Sequence, residues 1–158
     1  MPSPRSTLKS LALALAATAA FGASLANAGQ CPADKVTTDG QKAGATAHKD
    51  VAEKLLGQID LSKEKVAVAG HHFRMRRLDI KSGGEVAWHS HEERPALIYV
   101  VSGTIVEYSS HCAAPIVHNA GDLSIEQGGL AHWWKNTTKK PVVLISADIA
   151  KDPNEHGM

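Results

Sequence analysis

The sequence predicts an all-β domain, closed into a barrel or folded as a sandwich of two sheets. From Glu64 onward, short segments rich in β-branched and aromatic residues recur, and clusters of Gly, Ser, Asn and Pro separate them at short intervals. Size supplies a third observation. The chain has 158 residues, and its first 28 read as a leader. What is left is enough for one hydrophobic core and too little for two.

The elements follow in chain order. Arg5 and Lys9 precede the apolar run from Leu11 to Ala17, which continues through small residues to Phe21 and ends on Ala26-Asn27-Ala28. A basic start, a short apolar middle and a small-x-small exit are the parts of a secretory signal peptide, with cleavage expected before Gly29. The apolar run falls short of the ~20 residues a membrane span needs. A periplasmic or secreted protein without a membrane anchor is therefore expected. Residues 29–63 read as an N-terminal arm. Within it, Val51, Ala52, Leu55 and Leu56 are spaced to suggest a short helix over Lys49 to Gln58.

Residues 64–150 read as the barrel. Strands are expected at 66–68, 73–80, 86–91, 96–101, 104–108, 116–117, 123–126, 132–136 and 142–149. Turns are expected at Ser82-Gly83-Gly84, Ser102-Gly103, Asn119 to Asp122, Gly128-Gly129 and Lys139 to Pro141.

Charge and composition exclude several classes. Lys and Arg number 17 against 16 Asp and Glu. Removing Arg5 and Lys9 with the leader leaves 15 against 16, a net charge of −1. Nothing here attracts a nucleic acid by bulk charge, and 43% apolar residues exclude a disordered chain. Nucleophilic triads and phosphate-binding loops are absent. Cys31 and Cys112 both lie beyond the leader. Either they stay as thiols or they pair; an oxidising compartment and the lack of a competing third Cys favour the disulfide.

The nine His are the count to explain. His89-Ser90-His91 places two imidazoles at i and i+2, on one face of a strand and roughly 6.5–7 Å apart, which suits chelation of one divalent ion. His132 opens another expected strand, after Gly128-Gly129. Around them runs a two-part pattern. Gly83, five residues, His89-x-His91 and a later Gly103 form the first part. Gly121, five residues, Gln127, Gly129, two residues, His132, three residues and Asn136 form the second.

This pattern, over roughly residues 64–149, resembles the two motifs of the cupin superfamily. The resemblance implies a double-stranded β-helix, or jelly-roll, barrel with one metal ion held by His89, His91 and His132. Iron, zinc, manganese, nickel and copper all occur in such barrels, so the identity of the ion is left open. Two positions depart from the pattern. Gln127 replaces a proline, and Ala96 stands where the carboxylate ligand should be. Three neutral His around a divalent ion would carry +2 and favour anionic ligands. Glu92 or Glu93 is the candidate to replace the carboxylate from the loop after His91.

Strand parity assigns the remaining candidates. Trp134 shares a face with His132 and Asn136, so it either lines the cavity or belongs to the core. Arg74 and Arg76 share a face, and are either solvated or turned inward, where one could clamp a carboxylate. His48, His111, His118 and His156 are expected at the surface.

Three functions compete. The first is a mononuclear metal-dependent oxidoreductase of dioxygenase type, acting on a small organic molecule, for which the +2 site favours an anion. The others are a redox-neutral isomerase or lyase and a non-catalytic barrel that binds a metal or small ligand. No catalytic residue is assigned. Cupins commonly pair through sheet edges, so the resemblance suggests a homodimer without establishing one.

Overall fold

The computed structural model describes residues 29–151; the expected signal peptide and His156 lie outside them. Eight strands form one curled sheet in the order β5-β4-β7-β2-β8-β3-β6, with β1 paired to β2 beside this path. They are β1 (Lys49–Asp60), β2 (His72–Ser90), β3 (Ala96–Ser102), β4 (Thr104–Ser109), β5 (Ile116–Asn119), β6 (Leu123–Glu126), β7 (Ala131–Lys135) and β8 (Val142–Ala150). All ladders are antiparallel. The architecture is the barrel expected from the turn spacing.

Alternation along the strands sends one residue in two inward. Aligned rungs then sort the interior by polarity. Val100, Leu144 and Leu78 share one rung and Ile98, Ser146 and Arg76 the next, followed by Ala96, Asp148 and Arg74. One end of the barrel is therefore an apolar core, with Ile80, Val86, Ile105, Trp134 and Val142 filling it. The other end carries buried polar groups, and the candidate site lies there. Gly103 makes the β3–β4 turn at φ +86°, and a Cβ there would lie 2.8 Å from the Pro141 carbonyl oxygen. Only glycine satisfies both conditions.

Three expectations need correction. Residues 49–58 are not a helix: β1 runs beside β2, and its partners extend from Lys49↔Glu85 to Asp60↔His72. Backbone pairing with a long neighbouring strand outweighs the helical spacing of Val51 and Leu55. Residues 66–68 form no strand. Residues 73–80 and 86–91 are not two strands joined by a turn; β2 passes through Ser82-Gly83-Gly84 without reversing.

The arm is strapped to the barrel. Cys31 and Cys112 form the expected disulfide, and a bridge between Val36 and Cys112 continues the attachment. The Thr37 amide donates to the His111 carbonyl and the Gly40 amide to the Ser110 carbonyl. Gly44 passes so close to the Trp133 ring that a Cβ would overlap it, and Trp133 in turn stacks on Tyr108 at 4.2 Å. The disulfide spans 81 residues. Replacing both cysteines by serine is expected to lower the unfolding free energy by up to about 4 kcal/mol, the loop-closure value for such a span. Urea unfolding with and without reductant measures it.

Candidate metal centre

Local irregularity builds the site. Between Val86 and His89 the β2–β7 register slips: Val86 faces Trp134, yet His89 faces His132. Three steps on β2 match two on β7, which is a β-bulge. The extra residue lets Val86 stay in the core while His89 also turns inward. His91 follows just past the strand, and its amide donates to the Leu130 carbonyl. Three imidazoles therefore converge from two adjacent strands.

Their tautomers are set by what the outer nitrogens meet. His89 Nδ1 lies 2.8 Å from the Ala87 carbonyl and His91 Nδ1 lies 2.7 Å from the Arg94 carbonyl. His132 Nδ1 lies 2.7 Å from a Glu107 carboxylate oxygen. All three partners only accept, so each Nδ1 carries the proton. Each Nε2 is left with a lone pair. The three Nε2 atoms face one another at 2.9, 3.1 and 3.1 Å. Metal–nitrogen bonds of about 2.1 Å at right angles would separate them by about 3.0 Å, whereas tetrahedral angles would need about 3.4 Å.

Glu126 completes the cluster. Its oxygens lie 3.0 Å from His91 Nε2 and 3.5 Å from His132 Nε2, and both are buried without a hydrogen-bond partner. The ligand atoms of His89, His91, His132 and Glu126 all lie within 4.8 Å of one another. Lone pairs and an unpaired carboxylate at such distances repel one another unless a cation sits among them. The cluster is compatible with one divalent ion.

Its electrostatics agree. Burial disfavours a charged His132, but the Glu126 charge and the Glu107 hydrogen bond outweigh it and raise its pKa. Burial, helped by the neighbouring His132 charge, holds His89 far below the ordinary histidine range. The cluster therefore favours one cation among these groups: a proton on His132, or a metal ion in its place. His91, Glu126 and His132 are at most 2% exposed, and the half-buried His89 is the most accessible of the four.

Ala96 explains the missing carboxylate. In the β3–β6 ladder Ala96 is the direct partner of Glu126, so both project to the same face. The acid has moved one strand across, and the small Ala96 leaves it room. The expected three-His site of charge +2 is thus corrected to three His plus a carboxylate, +1 with a divalent ion. Glu92 and Glu93 are exposed and outside the cluster, and Glu93 pairs with Lys151 at 2.8 Å.

Glu107 holds His132 from behind the cluster. Glu107 also binds His118 Nε2 at 2.8 Å. Burial would raise its carboxyl, but the hydrogen bonds from His118 and His132 hold it down to about 2. His118, expected at the surface, is fully buried on β5. Glu107→Gln keeps the shape but loses the charge that orients His132. It is expected to weaken zinc affinity about 10–100-fold with the fold retained, as read by competition against a chromogenic chelator.

Trp134 is fully buried in the core cluster, with its indole nitrogen 3.5 Å from His132 Nε2. Arg74 and Arg76 turn inward, and both bind Asp148, at 2.8 and 2.7 Å; Arg94 joins at 3.3 Å. A cavity of about 390 Å³ lies between the arm and the barrel. Glu107, Ser109 and Ser124 form its inner wall, with Cys31 and Val36 on the arm side.

The cupin domain model matches residues 76–148, a span that contains every candidate ligand. Residues 76–148 form a cupin domain. No curated protein matches the chain. A predicted oxalate decarboxylase from Thermotoga maritima is 18% identical with a TM-score of 0.53 over 72% of this chain and 96% of its own. An oxalate oxidase bound to the substrate analogue glycolate is 21% identical with a TM-score of 0.51. That match covers 72% of this chain and 58% of the oxidase chain. A Klebsiella pneumoniae protein with a double-stranded β-helix domain is 17% identical with a TM-score of 0.51, over 64% of this chain and 83% of its own. At these identities the likeness is one of fold.

Proposed function

We propose that this cupin-domain protein is an exported, mononuclear metal-dependent oxidoreductase of dioxygenase type, with His89, His91, His132 and Glu126 holding one divalent ion. The observation that carries the reading is the convergence of three imidazole Nε2 atoms, 2.9 to 3.1 Å apart, on a carboxylate with no hydrogen-bond partner. A redox-active divalent ion would supply the one-electron chemistry that these side chains lack, and four protein ligands leave positions open on a six-coordinate ion.

The residues around the site define the ligand class. Arg74, Arg76 and Arg94 balance Glu107, Glu126 and Asp148 among the buried groups, so a divalent ion leaves the interior at +2. A small anionic organic molecule answers that charge. Redox-neutral chemistry would need a free general base. Glu107 is spoken for at both oxygens and Asp148 by three arginines, which favours the oxidative reading. Export rests on the leader motif together with the Cys31–Cys112 disulfide.

The test is oxygen uptake by iron-loaded protein offered small carboxylates, thiols, β-diketones, catechols and flavonols. Turnover that His132→Ala abolishes supports the proposal. Uptake unchanged in His132→Ala overturns it. Tight stoichiometric metal binding with no turnover on the panel identifies the non-catalytic barrel instead.

A further inference from the structure

The hydrogen-bond series behind the metal cluster is unfinished at its outer end. His132 and His118 each bind one oxygen of Glu107. A carboxylate only accepts, so His118 Nε2 carries a proton and its Nδ1 is left with a lone pair. That Nδ1 is buried and has no hydrogen-bond partner among the described residues. Trp134 packs against the ring, with 4.5 Å between centroids, and holds it in place. A buried acceptor left unmet costs about 1–3 kcal/mol, so the site calls for a donor. Gly29 stands where that donor belongs. A Cβ added to it would fall 2.9 Å from His118 Nδ1, and 3.0 and 3.5 Å from Cβ and Cγ of Asp122. Carbon is too large for that place, but 2.9 Å is an ordinary hydrogen-bond length for an N–H donor. In the uncut chain the Gly29 nitrogen belongs to a peptide bond, and turning it there would carry the preceding chain along. A free amine has no such tether. Rotation about the Cα–C bond brings it to the Cβ position, since the N–Cα bond of about 1.46 Å is nearly as long as a Cα–Cβ bond.

We propose that the α-amino group freed by cleavage before Gly29 is the donor to His118 Nδ1, paired with Asp122, and that Gly29 is thereby a positioning residue for the metal ligand His132. This rests on the export reading, which makes Gly29 the first residue of the mature chain. An α-amine is mostly protonated at neutral pH, so it brings three N–H donors and a positive charge. One N–H goes to His118 Nδ1. The charge faces the Asp122 carboxylate, whose Oδ2 already accepts from the Asn119 amide at 2.6 Å. The segment is anchored for this role: Gln30 Nε2 donates to the Leu123 carbonyl at 3.0 Å, and Cys31 is bonded to Cys112. With both ring nitrogens engaged, His118 fixes Glu107, and Glu107 fixes His132. Processing then completes the support of the metal centre, and an uncut chain lacks its last member.

Mass spectrometry of the exported protein locates its first residue, and a short pulse of an amine-reactive ester near neutral pH, read by peptide mapping, measures access to the terminal amine. A start at Gly29 is expected, with labelling at least about tenfold slower than in the urea-unfolded chain. A different start overturns the cleavage site and this proposal with it. A Gly29 start whose amine labels as fast as in urea overturns the proposal and leaves the export and metal readings standing. The link to His132 is read by zinc titration against a chromogenic chelator. One alanine inserted ahead of Gly29 in the mature chain is expected to weaken zinc affinity about threefold to tenfold, with an unchanged circular dichroism spectrum, a smaller loss than removing a group that touches a ligand directly. In a His118→Gln background the same insertion should change affinity less than about twofold. An insertion without effect in the wild type, or with an equal effect in both backgrounds, overturns the proposal.

Discussion

Glu126→Ala is expected to weaken divalent-metal affinity by at least about 100-fold, and adding Ala96→Glu to the same chain is expected to recover most of that loss. The first half follows from removing a directly facing carboxylate, since loss of a mere supporting group already costs about 10–100-fold. The second follows from the ladder. Residues 96 and 126 are direct antiparallel partners, so their β-carbons stand about 5 Å apart on the same face. A carboxylate grown from either can reach the three imidazoles. Zinc titration of the wild type, the single variant and the double variant measures both halves. A double variant as weak as the single one would show that the two positions are not interchangeable.

Asp148→Asn is expected to cost about 3–5 kcal/mol of stability, the range for removing one partner from a buried ion cluster. Arg74 and Arg76, each at most 2% exposed, and Arg94 share this carboxylate. Asparagine leaves three buried cations with less than their balance of charge. Against the 5–15 kcal/mol typical of a domain, that is a large fraction, and urea unfolding reads it directly.

The same carboxylate sets a pH dependence. Burial would raise Asp148, but Arg74, Arg76 and Arg94 hold it below its ordinary 3.8, and Glu107 is held near 2 against 4.5. Both groups are depressed in the folded state. Their contribution is complete above those ordinary values and is lost as pH falls toward about 2. Metal-free wild type should therefore lose stability over that interval, and Asp148→Asn should show a shallower loss.

The parts legible in the sequence were those encoded by short periods. The barrel followed from turn spacing, and His89 and His91 from their i, i+2 relation. His132 came from its motif, and the disulfide from a count of two cysteines. What stayed hidden depended on pairing between distant strands. Glu126 sits immediately before Gln127 in the second motif, yet nothing local marks it as a ligand; only the rung it shares with Ala96 does. An inward acid on a short expected strand, alternating with Leu123 and Ile125, was the available signal. Glu107 was likewise legible as an inward position between Ile105 and Ser109, but its two histidine partners come from β5 and β7. The β1 segment went the other way, because its local spacing pointed to a helix while β2 supplied a stronger partner. Alternation alone puts Val86 and His89 on opposite faces; only the bulge between them turns both inward.

Strand β6 has only four residues and closes one end of the sheet path, held to β3 by four rungs. A slip of one position would turn Glu126 to solvent and bring Ile125 inside. The ligands come from β6, β7 and the end of β2, so an ion among them would act as a rivet across strands that are not all neighbours. Occupancy and strand register then become one equilibrium. Amide hydrogens of Ser124 and Glu126 should exchange at rates set by metal concentration, slowing as the site fills, while those of the apolar end near Leu78 and Leu144 should not respond. The barrel would keep a permanent half and a conditional half, with the boundary where its interior turns polar.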